Sequence, residues 1–102
     1  MGNYPNPFNP ETTIRFTLTP NHEFGIRNAE FGNATPQHVT IDVYNVKGQR
    51  VRALVNGLYN AGEHSVVWNG RDDYGVGVAS GVYFYRMIAG EYRDVKKMML
   101  VK

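Results

Sequence analysis

The sequence has no cysteine, no long apolar run and little net charge. Without cysteine, neither disulfides nor thiolate metal sites can form. No run of about 18 apolar residues exists, so we expect no transmembrane segment. Residues 1–4 lack the basic region and apolar stretch of a signal peptide. A net charge of +2 over 102 residues is too small to indicate a nucleic-acid partner.

Recognisable catalytic motifs are also missing. The three histidines, His22, His38 and His64, show no metal-ligand spacing, and we expect each to be a solvated or rim residue. Ser65 and Ser80 do not lie in a nucleophile-elbow pattern. The sequence therefore predicts a protein that is not an enzyme and has no cofactor.

The residues that are present favour β structure. Apolar residues make up 42% of the chain, with seven tyrosines and 11 glycines, and the length suits one domain. Short apolar strands recur about every ten residues with turn signals between them, which is the pattern of an all-β sandwich. The predicted strands are residues 12–18, 39–44, 49–55, 64–68, 81–89 and 92–101.

Alternation within these strands predicts which side chains form the core. Trp68, the only tryptophan, is the expected core anchor because indole buries the largest apolar surface of any side chain. In the strand 81–89, Arg86 shares a face with Phe84, so we expect the opposite face to be buried. The predicted inward residues are Ile14, Phe16, Leu18, Val39, Ile41, Val43, Val51, Leu54, Val66, Trp68, Tyr83, Tyr85 and Met87.

Two segments interrupt the strand pattern. Prolines at positions 5, 7 and 10 make residues 1–11 an extended lead-in, which we expect to pack Tyr4 and Phe8 on the domain at 12–102. Residues 20–38 are polar and echo Glu-Phe-Gly at 23–25 and 30–32, which indicates an inserted surface loop. Phe24 and Phe31 either cover a core edge or form a contact surface. A shorter loop is expected at 57–62.

The turn after Trp68 is rich in oxygen ligands. Asn69, Asp72 and Asp73 lie among glycines, a combination that can hold Ca²⁺. The spacing does not match an EF-hand loop, and Asp and Asn also shape turns by bonding their own backbone. We favour the turn-forming role and keep calcium as the weaker alternative.

Several ordered motifs resemble the type A C-terminal sorting domains of the type IX secretion system. The resemblance covers residues 4–102 apart from the 20–38 insertion. The ordered motifs together are far more specific than any one of them. The immunoglobulin-like domain of the flagellar hook-capping protein has a motif similar to residues 68–85, but the opening Tyr-Pro-Asn-Pro-Phe-Asn-Pro favours the sorting domain. The matching segments are residues 4–18, 43–51, 61–62, 68–72, 80–85, 89–90 and 96–102.

The resemblance implies an immunoglobulin-like β-sandwich of about seven antiparallel strands at the end of a larger secreted protein. It implies recognition by the outer-membrane translocon, removal by a sortase-like peptidase, an N-terminal cargo domain in the full-length protein, and a secreted or cell-surface location. By resemblance the sorting signal comprises Gly81, Tyr83, Gly90, Lys96, Lys97 and Lys102. The alternative function is a structural, adhesive or carbohydrate-binding accessory module.

The charge distribution agrees with a role for the C-terminus. Residues 86–102 contain five basic and two acidic side chains, although the whole chain carries only +2. If the last strand is a sheet edge, Lys96 and Lys97 either attract a partner by strand addition or protect the edge against aggregation. These two roles are compatible.

Overall fold

The computed structural model describes residues 1–19 and 36–102. In the described residues, regular structure consists of β-strands only. The strands are β1 (Gly2–Tyr4), β2 (Thr12–Leu18), β3 (Gln37–Tyr44), β4 (Arg50–Tyr59), β5 (Gly62–Trp68), β6 (Gly81–Ala89) and β7 (Tyr92–Leu100).

The seven strands form two antiparallel sheets. One sheet has the order β1-β2-β5, and the other has the order β4-β3-β6-β7. Phe16 pairs with His64 in the first sheet, and Ile41 pairs with Met87 in the second. The predicted all-β sandwich of about seven antiparallel strands is confirmed. Within the described residues, no helix is long and apolar enough to cross a membrane.

The core lies between the sheets and is centred on Trp68. The indole is fully buried, and its Nε1 donates to the carbonyl oxygen of Arg71 at 2.9 Å. Phe8 and Tyr83 pack against it with ring centroids 5.6 and 5.3 Å away. Because these rings come from distant parts of the chain, this cluster joins the N-terminal segment, the turn after β5 and β6.

The alternation patterns predicted most of the inward faces correctly. The residues of β2 and β3 that were predicted to point inward are all buried, and so is the predicted Tyr83–Tyr85–Met87 face of β6. Val51, Leu54 and Val66, which were predicted to point inward, are only partly buried against the core, and Val55 is the buried residue of β4. The pairing of β3 with β4 shifts by one residue between Ile41 and Asp42, where Ile41 faces Val55 and Asp42 faces Ala53. Such a bulge changes which side chains point inward, and Leu54 becomes only partly buried.

The segment 1–11 is more than the lead-in that the sequence indicated. Gly2–Tyr4 forms β1 and pairs with β2 in register Asn3 to Ile14. Of its two rings, Phe8 is buried with 2% exposure, whereas Tyr4 is 82% exposed and does not pack as expected. This segment therefore belongs to the sandwich.

The predicted loops also differ from the structure. Residues 57–59 continue β4, so the connection from β4 to β5 is only residues 60–61 and the expected loop at 57–62 is wrong. Gln37 and His38, placed in the inserted loop, begin β3. The rest of that prediction, including Phe24 and Phe31, lies outside the described residues.

Candidate recognition edge at the C-terminal strand

The last strand, β7, lies at one edge of the four-stranded sheet. The outer side of its C-terminal end is covered by residues 6–8, here called the N-terminal latch. The Phe8 N–H donates to the Met99 carbonyl oxygen at 3.0 Å, and the Val101 N–H donates to the Phe8 carbonyl oxygen at 2.9 Å. The Asn6 side chain accepts from the Met99 N–H at 3.0 Å and donates to the Lys97 carbonyl oxygen at 3.5 Å.

Asparagines between the prolines hold this segment in place. Asn3 Nδ2 donates to Thr12 Oγ1 at 3.0 Å, and the Thr12 hydroxyl donates to the Pro5 carbonyl oxygen at 2.8 Å. The Tyr85 hydroxyl donates to Asn3 Oδ1 at 3.0 Å, which ties β6 to the N-terminus. Sequence reasoning assigned no role to Asn3 or Asn6. The position of Asn6 between Pro5 and Pro7 was the available signal, since such an amide can satisfy backbone groups where proline supplies no N–H.

Three of the residues implied as a sorting signal shape the strands that carry the edge. Gly81 begins β6 with φ +151° and Gly90 forms the β6–β7 turn with φ +63°, conformations that favour glycine. Tyr83 packs on Trp68 and donates its hydroxyl to the Ala79 carbonyl oxygen at 2.6 Å. Their positions suit structural support, because none offers an exposed side chain to a partner.

The three implied lysines do not form one cluster. Lys96 and Lys97 are neighbours in β7, and both are exposed. Lys102 lies beyond the end of the strand, where its backbone N–H donates to Ser80 Oγ at 3.0 Å. The structure therefore puts two of these cations on the edge and the third beside the loop that precedes β6.

Two tyrosines of β6, the strand next to the edge strand, have raised pKa values. Burial raises the pKa of Tyr85 to about 12, and the nearby negative charge of Asp94 adds to this rise. Burial also raises the pKa of Tyr83. Both phenols are therefore neutral donors at physiological pH, which matches their hydrogen bonds to Asn3 and Ala79.

The aspartates after Trp68 are engaged in turn formation. One carboxylate oxygen of Asp72 accepts from the N–H groups of Tyr74 and Val76, both at 2.9 Å. Asp73 accepts from the Ala53 N–H at 2.8 Å and pairs with Arg50 at 3.7 Å. Asn69 is exposed on the same turn. Across the described ranges, no group of three or more histidine or carboxylate side chains is placed to hold a metal ion.

The histidines that the structure describes make local hydrogen bonds. His38 Nε2 lies 2.7 Å from Asn56 Oδ1, and His64 Nε2 lies 2.7 Å from the Asn60 carbonyl oxygen. His64 also packs against the rings of Phe16 and Tyr59. Their rim positions agree with the expectation from sequence, and His22 lies outside the described residues.

Two solved structures from Porphyromonas gingivalis share this fold. Dimeric latent PorU is 19% identical with a TM-score of 0.71, and covers 97% of this chain. PorZ, an essential surface component of the type IX secretion system, is 20% identical with a TM-score of 0.55 over 99% of this chain. The chain spans only 9% and 11% of those two chains. No curated protein matches the sequence.

A family model also matches the sequence directly. It is the model of the FlgD Ig-like domain, and it matches residues 13–91. This range contains β3 to β6 in full and all of β2 except its first residue, Thr12, and it ends before β7. The match covers most of the sandwich and leaves β1, the N-terminal latch and the edge strand outside it. The chain belongs to the FlgD Ig-like domain family.

Proposed function

We propose that this chain is a non-catalytic secretion and sorting module that directs a larger secreted protein through the type IX outer-membrane machinery. One structural observation carries the proposal. The C-terminal strand is a basic sheet edge, and the described residues cover it at one end only. An exposed edge offers backbone groups for recognition, and its lysines attract an acidic partner surface.

Two further observations support this function. The sorting-domain resemblance includes the opening motif, whose Phe8 and Asn6 contact the same strand that carries Lys96 and Lys97. A second support is the fold, since PorZ, described as a type IX secretion component, contains a region of similar structure. The proposed partners are the outer-membrane machinery and a sortase-like peptidase, with an N-terminal cargo domain and a secreted or cell-surface location.

In the proposed mechanism the domain acts as a folded tag. Gly81, Tyr83 and Gly90 give β6 and the β6–β7 turn their shape, which fixes the position of the edge strand. Lys96 and Lys97 are then presented on a rigid strand. The proposal assigns no chemical step to the domain; removal of the tag belongs to the peptidase.

A secretion assay tests this function. Residues 1–102 are fused behind a periplasm-targeted reporter in a bacterium that has a type IX system, and extracellular and periplasmic reporter are measured. We expect export with the native domain and periplasmic retention with Lys96→Gln/Lys97→Gln. Lys47→Gln is the matched control, because Lys47 is an exposed lysine in the β3–β4 turn. Retention of the reporter with the native domain would end the proposal.

The alternative is a structural, adhesive or carbohydrate-binding accessory module, whose expected contact residues were Phe24 and Phe31. Both lie outside the described residues, and the residues that the structure describes supply no observation in its favour. We do not propose it.

A further inference from the structure

Part of the outer side of β7 carries backbone N–H and C=O groups to which no described residue is hydrogen-bonded. The latch contacts show that the bonded groups of Lys97, Met99 and Val101 point away from β6. In an antiparallel strand this direction recurs at every second residue. The N–H and C=O of Arg93 and Val95, and the N–H of Lys97, therefore point the same way, and no described residue bonds them. Such a row is a template for another strand.

The side chains of the same residues set the chemistry of a partner. Met98 and Leu100 are buried, so the alternate residues Arg93, Val95 and Lys97 lie on the outer face of the sheet. Val95 is 53% exposed between two cations. An added strand that placed acidic side chains opposite the cations and an apolar one opposite Val95 would complement this surface.

Pairing with a second copy of β7 in the register centred on Val95 is disfavoured by charge. Antiparallel pairing of two β7 strands centred on Val95 would put Arg93 of each copy opposite Lys97 of the other. Like charges directly opposite one another destabilise a pair of strands. This arrangement disfavours self-association and leaves an acidic strand from another protein as the complementary occupant.

We propose that β7 between Arg93 and Lys97 is a strand-addition site for an extended acidic segment of another protein. The inference rests on the proposed function and deepens it by stating how the edge is recognised. The partner segment has an acidic residue, an apolar residue and a second acidic residue at alternate positions. Its backbone pairs with the free groups of Arg93, Val95 and Lys97.

The N-terminal latch limits the length of this site. The Asn6 side chain is hydrogen-bonded to the Lys97 carbonyl oxygen and to the Met99 N–H. The backbone pairing of an added strand with β7 therefore ends at Lys97. Asn6→Ala frees both groups while Phe8 stays buried against Trp68. The longer edge is expected to bind the strand more tightly. Since Asn6 carries no charge, a purely electrostatic attraction would not change.

The probe is a synthetic peptide of sequence Glu-Thr-Val-Thr-Glu with blocked ends, compared with Lys-Thr-Val-Thr-Lys. Binding to the isolated chain is followed by amide chemical shifts and hydrogen exchange. We expect the acidic peptide to shift and protect the amides of Arg93, Val95 and Lys97, and the basic peptide to leave them unchanged. Neutralising Arg93 or Lys97 should weaken binding by up to about fivefold each.

A proline variant separates strand addition from surface attraction. Val95→Pro removes an outward N–H that β6 does not use, and edge strands tolerate proline at such a position. We expect Val95→Pro to abolish peptide binding and Val95→Ala to retain most of it. Equal binding by the proline variant, unchanged affinity in Asn6→Ala, or amide shifts confined to other strands would each overturn the proposal.

The secretion assay distinguishes this inference from the function on which it rests. If the native fusion is exported and its Val95→Pro form is exported equally well, strand addition is wrong and the sorting function stands. If the native fusion is retained in the periplasm, the sorting function is wrong, and the peptide experiment alone decides whether the edge accepts an acidic strand.

Discussion

Replacing Phe8 by alanine tests whether the N-terminal segment is part of the folded domain. If residues 1–11 were only a stiff lead-in, loss of the Phe8 ring would hardly change the free energy of unfolding. In the structure the ring is buried against Trp68, and the Phe8 backbone is hydrogen-bonded to Met99 and Val101. Truncating a buried phenylalanine costs about 3–5 kcal/mol, from lost apolar burial and the cavity left behind. A domain of this size has a total stability of about 5–15 kcal/mol, so the loss is a large share.

Urea unfolding followed by the fluorescence of Trp68 measures this effect directly. With an m-value of about 1.5 kcal/mol per molar, the midpoint should fall by about 2–3 M. Tyr4→Ala is the matched control, since it removes an aromatic ring four residues earlier that is 82% exposed. Its effect should stay within about 0.5 kcal/mol. Phe8→Leu, with a loss of about 1.5 kcal/mol or less, provides a measurable variant if Phe8→Ala does not fold.

The same variants should also differ in hydrogen exchange near the C-terminus. In the native chain the Val101 N–H is bonded to the Phe8 carbonyl oxygen. Loss of the ring should loosen the N-terminal latch and speed hydrogen exchange at Val101, while the Tyr4 variant leaves it unchanged. If Phe8→Ala and Tyr4→Ala give equal midpoints and equal exchange, the assignment of residues 6–8 to the sandwich is wrong.

Four further predictions concern the turn after β5 and the buried side chain of Tyr85. Gly70→Ala should destabilise by about 1–3 kcal/mol in urea unfolding, because Gly70 has φ +75° and an added Cβ would lie 3.2 Å from the Pro10 carbonyl oxygen; wild-type stability would contradict this. Asp72→Ala should cost about 1–3 kcal/mol through two lost turn hydrogen bonds. Millimolar calcium should leave the native melting temperature unchanged, and a calcium-dependent rise would restore the metal alternative. The folded pKa of Tyr85, about 12, lies above its ordinary value of 10, so stability should hold below pH 10 and fall as the pH rises from 10 to 12; Tyr85→Phe should flatten this fall.

Local patterns in the sequence were sufficient for six of the seven strands and for most of their inward faces. Period-two alternation identifies Ile14, Phe16 and Leu18 because a strand exposes alternate side chains to opposite sides. The same rule selected the Tyr83 face of β6, once Arg86 marked the other face as unsuitable for the core. These signals lie within single strands, so they can be recognised without knowing which strands are neighbours.

The candidate site was less accessible from sequence. The family resemblance and the basic excess of residues 86–102 pointed to Lys96 and Lys97, but neither reveals that β7 is an edge. That position depends on the sheet order β4-β3-β6-β7, which is a pairing between distant parts of the chain. For the same reason Asn6 was overlooked, since its partners at Lys97 and Met99 are more than 90 residues away.

The sequence by itself determined an all-β domain built around Trp68, because alternation, turn residues and the largest apolar ring act locally. Only the tertiary structure decided that β1 and the N-terminal latch complete the sandwich, that a bulge places Val55 rather than Leu54 in the core, and that the described residues cover β7 only at its C-terminal end. Each of these depends on long-range backbone pairing, whose partners are fixed by the packing of the whole chain rather than by any short stretch of it.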